Sequence, residues 1–211
     1  MGNAREHWDR VYETKDATEV SWYRAHLETS LALIQQAAAA RSSAIIDVGG
    51  GESTLVDDLV ARGYGDVTVL DVSSTAIEAT RARLGEDAGK VDWICGDVTS
   101  VELPQARFDL WHDRAVFHFL TDPAGRAAYV KQVARSVRLG GHVIVGTFGP
   151  GGPLQCSGLD VVRYDAGALH DQFGGRFQLV RHLEEVHRTP LGREQQFVWC
   201  LFRLIGGSGG S

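Results

Sequence analysis

Three aspartates stand where short apolar runs end: Asp47 in IIDVGGGES, Asp71 in VLDVS and Asp97 in CGDV. Asp47 is followed at once by consecutive glycines, Gly49, Gly50 and Gly51, which let a backbone approach a ligand closely. A glycine-rich turn of this kind most often cradles a phosphate. Here the Gly-Lys-Ser/Thr of a phosphate loop is missing, and Glu52 stands where positive charge would be wanted. The dinucleotide pattern G-x-G-x-x-G also fails, because Thr54 occupies the third glycine's place. Carboxylates on both sides of the turn repel an anion and attract a ligand that carries positive charge.

Other reactive groups cluster in four stretches. WHDRAVFHFL holds His112, Asp113, Arg114 and His118, and its start falls at the carboxyl end of a strand, where open α/β sheets bind ligands. His112 or His118 could accept a proton from a substrate, while Asp113 could contact a cofactor. For His118, flanked by Phe117 and Phe119, a satisfied half-buried histidine competes with the base role. Near the N-terminus Trp8 and Tyr12 are four residues apart and share one helix face; Trp22 and Tyr23 follow in VSWYR. The Gly/Pro-rich run GPGGPLQCSGLDVVRYD adds Cys156, Arg163 and Tyr164. It is too long for a turn and is expected to stand over the substrate pocket. Cys156 reads as a pocket wall, since one cysteine alone makes no metal site. His187 and Arg188, in a hairpin turn, read as solvated.

The elements that must position these groups alternate. Short β-branched runs at Ala44–Val48, Val67–Val72, Val91–Cys95, Phe108–His112 and His142–Thr147 are separated by helical periods, the pattern of a parallel sheet with crossover helices. Thr54 with Asp57 and Thr75 with Glu78 are candidate capping boxes. Residues 1–42 hold two helical segments, the second with Leu27, Leu31, Ile34 and Ala38 on one face. Arg176–Val186 and Glu194–Leu204 are two longer strands whose connection is too short for a helix, so they pair antiparallel. The expected fold is α/β and Rossmann-like: a seven-stranded, mostly parallel sheet with helices on both faces and an antiparallel C-terminal strand pair.

The 211 residues, 44% hydrophobic and 23% charged, suit one cored domain over 43–205 behind an N-terminal segment of 1–42. Gly206–Ser211, GGSGGS, has the composition of a flexible linker and is expected to lie outside the fold. A net charge of −6 leaves no basic footprint for nucleic acid. No membrane-length apolar run or targeting pattern is present, which predicts a soluble, cytoplasmic protein. Cys95, Cys156 and Cys200 are odd in number and lack CxxC spacing, so reduced thiols are expected and no metal site.

In order and spacing these features resemble the class I S-adenosylmethionine-dependent methyltransferases of the small type 11/12 kind. DVGGGES resembles their first motif, with Ser53 in the place of a usual glycine. The resemblance implies that S-adenosyl-L-methionine is the cofactor and that Asp47, Gly49 and Gly51 approach its methionine portion. It also implies that Asp71, twenty residues after Gly51, holds the ribose hydroxyls with Val72 beside it. Asp97 and Val98 then face the adenine, and His112 and Asp113 border the site. HWDRVYETKDATEVSWYR is similar to the leading segment of small methyltransferases and of eukaryotic protein-lysine methyltransferases. Packing on the sheet edge and closure over a cofactor both suit its helix face; the resemblance points to a lid of Trp8, Tyr12 and Trp22. His112, His118 and Tyr164 are the candidate catalytic groups. The implied function is methyl transfer to sulfur, nitrogen or oxygen of a small-molecule acceptor; the oligomeric state is left open, a monomer being one option. A protein-lysine methyltransferase and an inactive cofactor-binding module are the alternatives.

Overall fold

The computed structural model of the chain describes residues 2–206 apart from 17 and 39. The expected linker-like tail lies, from residue 207 onward, outside the described residues. Helices α1 (Gly2–Thr14) and α2 (Glu28–Ala37) precede an alternation of strand and helix. The alternation runs β1 (Ile45–Val48), α3 (Leu55–Ala61), β2 (Val67–Asp71), α4 (Ser74–Leu84), β3 (Val91–Cys95), β4 (Phe108–Arg114), α5 (Pro123–Ser136) and β5 (Val137–Phe148). A two-residue-per-strand hairpin follows, β6 (Gln155–Cys156) and β7 (Leu159–Asp160), then α6 (Ala166–Phe173), β8 (Phe177–Arg188) and β9 (Glu194–Leu204).

Seven strands form one sheet in the order β3-β2-β1-β4-β5-β9-β8. The first five are parallel, and β9 pairs antiparallel with both β5 and β8, as the short connection requires. The strand order reverses between β1 and β4, which opens a crevice at their carboxyl ends. Every residue of β1 and β2 is buried, matching their continuous apolar sequence. Edge strand β3 is only partly covered.

Apolar side chains form a core on each face of the sheet. One gathers Tyr129 and Val133 of α5 with Leu169 and Phe173 of α6. The other gathers Leu31 and Ile34 of α2 with Leu55 and Leu59 of α3, so the periodicity read from residues 27–38 marks a true buried face. The expected capping boxes do not form. Thr54 makes no side-chain cap and donates instead to Arg24 O at 2.8 Å. Ser73, not Thr75, caps α4, accepting from Ala76 N–H at 3.1 Å. The strand ends two residues before α4, and only the residue in extended backbone can serve as its cap.

Candidate active site

A cavity of about 250 Å³ opens at the carboxyl ends of the central strands. Gly49, Asp71, Val72, Asp97 and Val98 line one half of it, and Trp8, Tyr12 and Trp22 reach it from the N-terminal segment. Arg114, Phe148, Cys156, Leu159, Gln195 and Phe197 line the other half.

The glycine turn and Asp71 are built as one unit. Gly49 adopts φ +69°, a conformation that costs other residues strain, and a Cβ there would run into Val116 Cγ2. Gly51 N–H donates to Asp71 Oδ2 at 2.9 Å, and Ser73 N–H donates to Asp71 Oδ1 at 2.8 Å. A Cβ on Gly51 would sit 2.7 Å from that carboxylate, so Gly51 is a glycine for the sake of Asp71. Burial pushes the Asp71 carboxyl up to about 6, against the lowering effect of these N–H donors. Asp97 Oδ1 accepts from the N–H and Oγ1 of Thr99 at 2.8 and 2.7 Å. Its Oδ2 makes no side-chain hydrogen bond among the described residues.

Several expected site residues lie behind this wall, and two expectations fall on one buried chain. His112 Nδ1 meets Asp47 Oδ1 at 2.7 Å, and Nε2 meets Ser30 Oγ at 2.9 Å. The order Ser-His-Asp matches a hydrolytic triad, but all three residues are 3% exposed or less and none lines the cavity. The chain instead ties α2 to the start of the glycine turn. Both ring nitrogens are thus engaged inside the fold, and His112 does not line the cavity where a substrate or cofactor would meet it. Asp47 is likewise a buried partner of His112, and Gly51 sits behind Asp71.

Asp113 is fully buried and accepts from Val116 N–H (2.8 Å), Phe117 N–H (3.1 Å) and Tyr129 OH (2.6 Å). It fastens the loop after β4 and is not on the cavity wall; burial pushes its carboxyl up to about 6. His118 is also fully buried. Its Nδ1 accepts from Phe148 N–H at 3.3 Å and its Nε2 has no partner. Burial, with the charge of Arg114, pushes it down to about 3, so it stays neutral and cannot collect a proton at ordinary pH. Tyr164 packs on Phe117 with ring centroids 5.6 Å apart, its hydroxyl unpartnered and pushed up by burial. It does not line the cavity.

The N-terminal segment is held by polar contacts that periodicity alone cannot show. Ser73 Oγ donates to Asp9 Oδ1 at 2.6 Å, and Arg5 Nε donates to Val72 O at 3.2 Å. These fix α1 across the carboxyl end of β2, with Trp8 edge-on to Trp22 at 5.8 Å and to Phe119 at 5.2 Å. The strap after it is pinned too. Arg24 Nε donates to His187 Nδ1 at 2.9 Å, His187 Nε2 meets Ser21 O at 2.7 Å, and Arg24 pairs with Glu185 at 2.9 Å. Read as solvated, His187 is in fact fully buried, because residues 20–24 lie across it. Of the lining residues to which reasoning from sequence gave no role, Arg114 carried a signal, a cation ending an apolar strand; Phe197 and Gln195 look like any other residues of a long strand.

Fold and sequence both match a methyltransferase domain. Residues 45–141 match the profile of a methyltransferase domain family. Among curated proteins, the chain is 25% identical over 140 residues to the eEF1A lysine and N-terminal methyltransferase of Mus musculus, covering 66% of this chain and 20% of that protein. It is 21% identical over 155 residues to the EEF1A lysine methyltransferase 2 of Homo sapiens, covering 67% of this chain and 66% of that one. The chain thus spans about a fifth of the length of the first of these relatives. A structure described for the conversion of a disulfide bond into a thioacetal group during echinomycin biosynthesis matches with a TM-score of 0.77 at 20% identity, covering 97% of this chain and 93% of the other. The N-methyltransferase NodS from Bradyrhizobium japonicum WM9, in complex with S-adenosyl-L-homocysteine, matches with a TM-score of 0.73 at 15% identity, covering 96% and 98%. Residues 45–141 thus carry the likeness of a methyltransferase domain, and the chain shares its fold with the N-methyltransferase NodS.

Proposed function

We propose that the protein transfers a methyl group from S-adenosylmethionine to a sulfur or nitrogen atom of a small-molecule acceptor. The residues fit the cofactor. Gly49 leaves backbone bare where a side chain would collide, and Asp71 and Asp97 hold carboxylate oxygens against the cavity with capacity left to accept ribose hydroxyls and an adenine amino group. Val72 and Val98 flank those two carboxylates with apolar surface. When bound, S-adenosylmethionine supplies a methyl group made electrophilic by its sulfonium. The faces of Trp8, Tyr12 and Trp22 favour a nearby positive charge and keep water from the reacting atoms.

The observation that carries the acceptor reading is the roofed cavity itself. Its second half is walled by Phe148, Leu159 and Phe197 and closed by Trp22, which packs edge-on to Trp8 and Tyr12 at 5.8 and 6.3 Å. That space suits a compact, largely apolar molecule. No side chain beside Phe148, Leu159 and Phe197 serves as a base: burial pushes the Cys156 thiol up, and Asp71 and Asp97 are taken by the cofactor's hydroxyls and amino group. The acceptor must therefore be nucleophilic unaided, as a thiolate or an amine is and an alcohol is not.

A protein-lysine acceptor is the second reading. It is favoured by the curated relatives named for eEF1A methylation and by the Trp8 and Tyr12 start. Incubation with methyl-labelled S-adenosylmethionine and a panel of thiols, amines and a cell extract separates them. Label in the small-molecule fraction is expected; label confined to lysines of one protein favours the second reading, and cofactor binding without turnover toward any acceptor favours an inactive module.

A further inference from the structure

Arg114 is the one cation on the cavity wall among the described residues. It ends β4, is partly buried, and lines both the cavity and a smaller pocket beside Trp22, Arg24 and Glu52. Its guanidinium makes one side-chain hydrogen bond, from Nη1 to Trp22 O at 2.8 Å, and lies 5.4 Å from the centre of the Phe197 ring. It takes part in no ion pair among the described residues. Neither of the two carboxylates whose fields act on it pairs with it. Glu185 is held by Arg24 at 2.9 Å and by the Trp199 indole N–H at 2.9 Å, and Asp47 is held through Oδ1 by His112, its Oδ2 making no hydrogen bond among the described residues. Burial, with the charge of Arg24, pushes Arg114 down to about 10, yet it remains a cation at neutral pH.

A guanidinium kept in an apolar cavity without a counter-ion is costly to the fold, and the cost is offset when a ligand brings the missing charge. The position decides which ligand. Arg114 sits against Phe197 and acts on Cys156; it ends β4 and Phe197 lies on β9, whereas Asp71 ends β2 and Asp97 follows β3, on the other side of β1 in the sheet. We infer that Arg114 is the specificity-determining residue for an acceptor that carries a carboxylate, held by the planar fork of the guanidinium while its apolar body lies against the aromatic wall. A lysine would supply the charge without the two-pronged geometry. The inference rests on the small-molecule reading above and adds the acceptor's charge to it.

Calorimetry on the full chain saturated with S-adenosylhomocysteine tests it, with 3-phenylpropanoate and its uncharged amide as probes. The acid should bind the wild type at least about tenfold more tightly than the amide. Arg114→Gln should abolish that preference, and Arg114→Lys should keep part of it. No binding of the acid, equal binding of acid and amide, or a preference that survives Arg114→Gln overturns the inference. Should Arg114→Gln not fold, the wild-type comparison and Arg114→Lys still decide, because full retention of the preference in the lysine protein excludes a two-pronged contact. Arg114→Gln should leave affinity for S-adenosylhomocysteine within about threefold; a greater loss assigns Arg114 to the cofactor's carboxylate and overturns the acceptor role. Failure of the wild type to bind S-adenosylhomocysteine at all would instead remove the methyltransferase reading.

Discussion

The two halves of the cavity are made by different means. On the Asp71 side the wall is backbone and carboxylate at strand ends, held by short bonds between near neighbours in space: Gly51 to Asp71, Ser73 to Asp71, Thr99 to Asp97. On the Arg114 side it is assembled from aromatic and apolar side chains of the strap, the 149–165 insertion and β9. Geometry this tight admits few substitutions, whereas an aromatic wall accepts many sequences that fill similar volume. The same contrast separates His112 from Arg114, two residues apart on β4. One has both polar atoms satisfied and serves the fold; the other has donors to spare and serves a ligand.

The strongest way to break the first half is at Gly49. Gly49→Ala combines positive-φ strain with a collision at Val116 and should destabilise by about 4 kcal/mol, read by urea unfolding, with cofactor binding lost. Survival with native affinity would show that the turn can shift. Next in size is His112→Ala, which strands Asp47 and Ser30 in the interior and should destabilise by about 3 kcal/mol. The pH profile of turnover should be unchanged; a titrating limb that disappears with the mutation would restore His112 as a base.

Asp71→Ala should weaken S-adenosylmethionine by about 2 kcal/mol in a calorimetric titration. A pH signature accompanies it. The folded protein holds the Asp71 proton up to about pH 6, against an ordinary value of 3.8. The contribution of this group to stability is therefore complete below the ordinary value and lost as pH rises through 6. Asp71→Asn should remove that share of the pH dependence, while cofactor affinity in the wild type should fall as pH drops below 6 and the carboxylate is neutralised. The smallest effect sharpens the lid. Asp9→Ala deletes the bond to Ser73 and should cost about 1 kcal/mol of cofactor affinity with circular dichroism unchanged. Equal affinity would make α1 a packing element alone.

The sequence by itself determined the sheet, its strand directions and the Asp71 side of the cavity. Gly49, Asp71 and Asp97 were legible because a close backbone approach and a strand-end carboxylate each restrict the residue type at one position and at a set distance along the chain. Trp8 and Tyr12 were legible as a shared helix face, and Trp22 joined them only through the family resemblance. Only the tertiary structure decided the fates of His112, Asp113, His118 and Tyr164. All four sit beside the crevice in sequence, but a side chain that points one way along β4 or its loop meets ligand, and one that points the other way meets Ser30, Tyr129 or Phe148. A histidine reads the same in either case, because whether its nitrogens face a cavity or a buried oxygen is set by residues tens of positions away. For the same reason Arg114 could be recognised as unpaired only once Glu185 and Asp47 were seen to belong to Arg24 and His112.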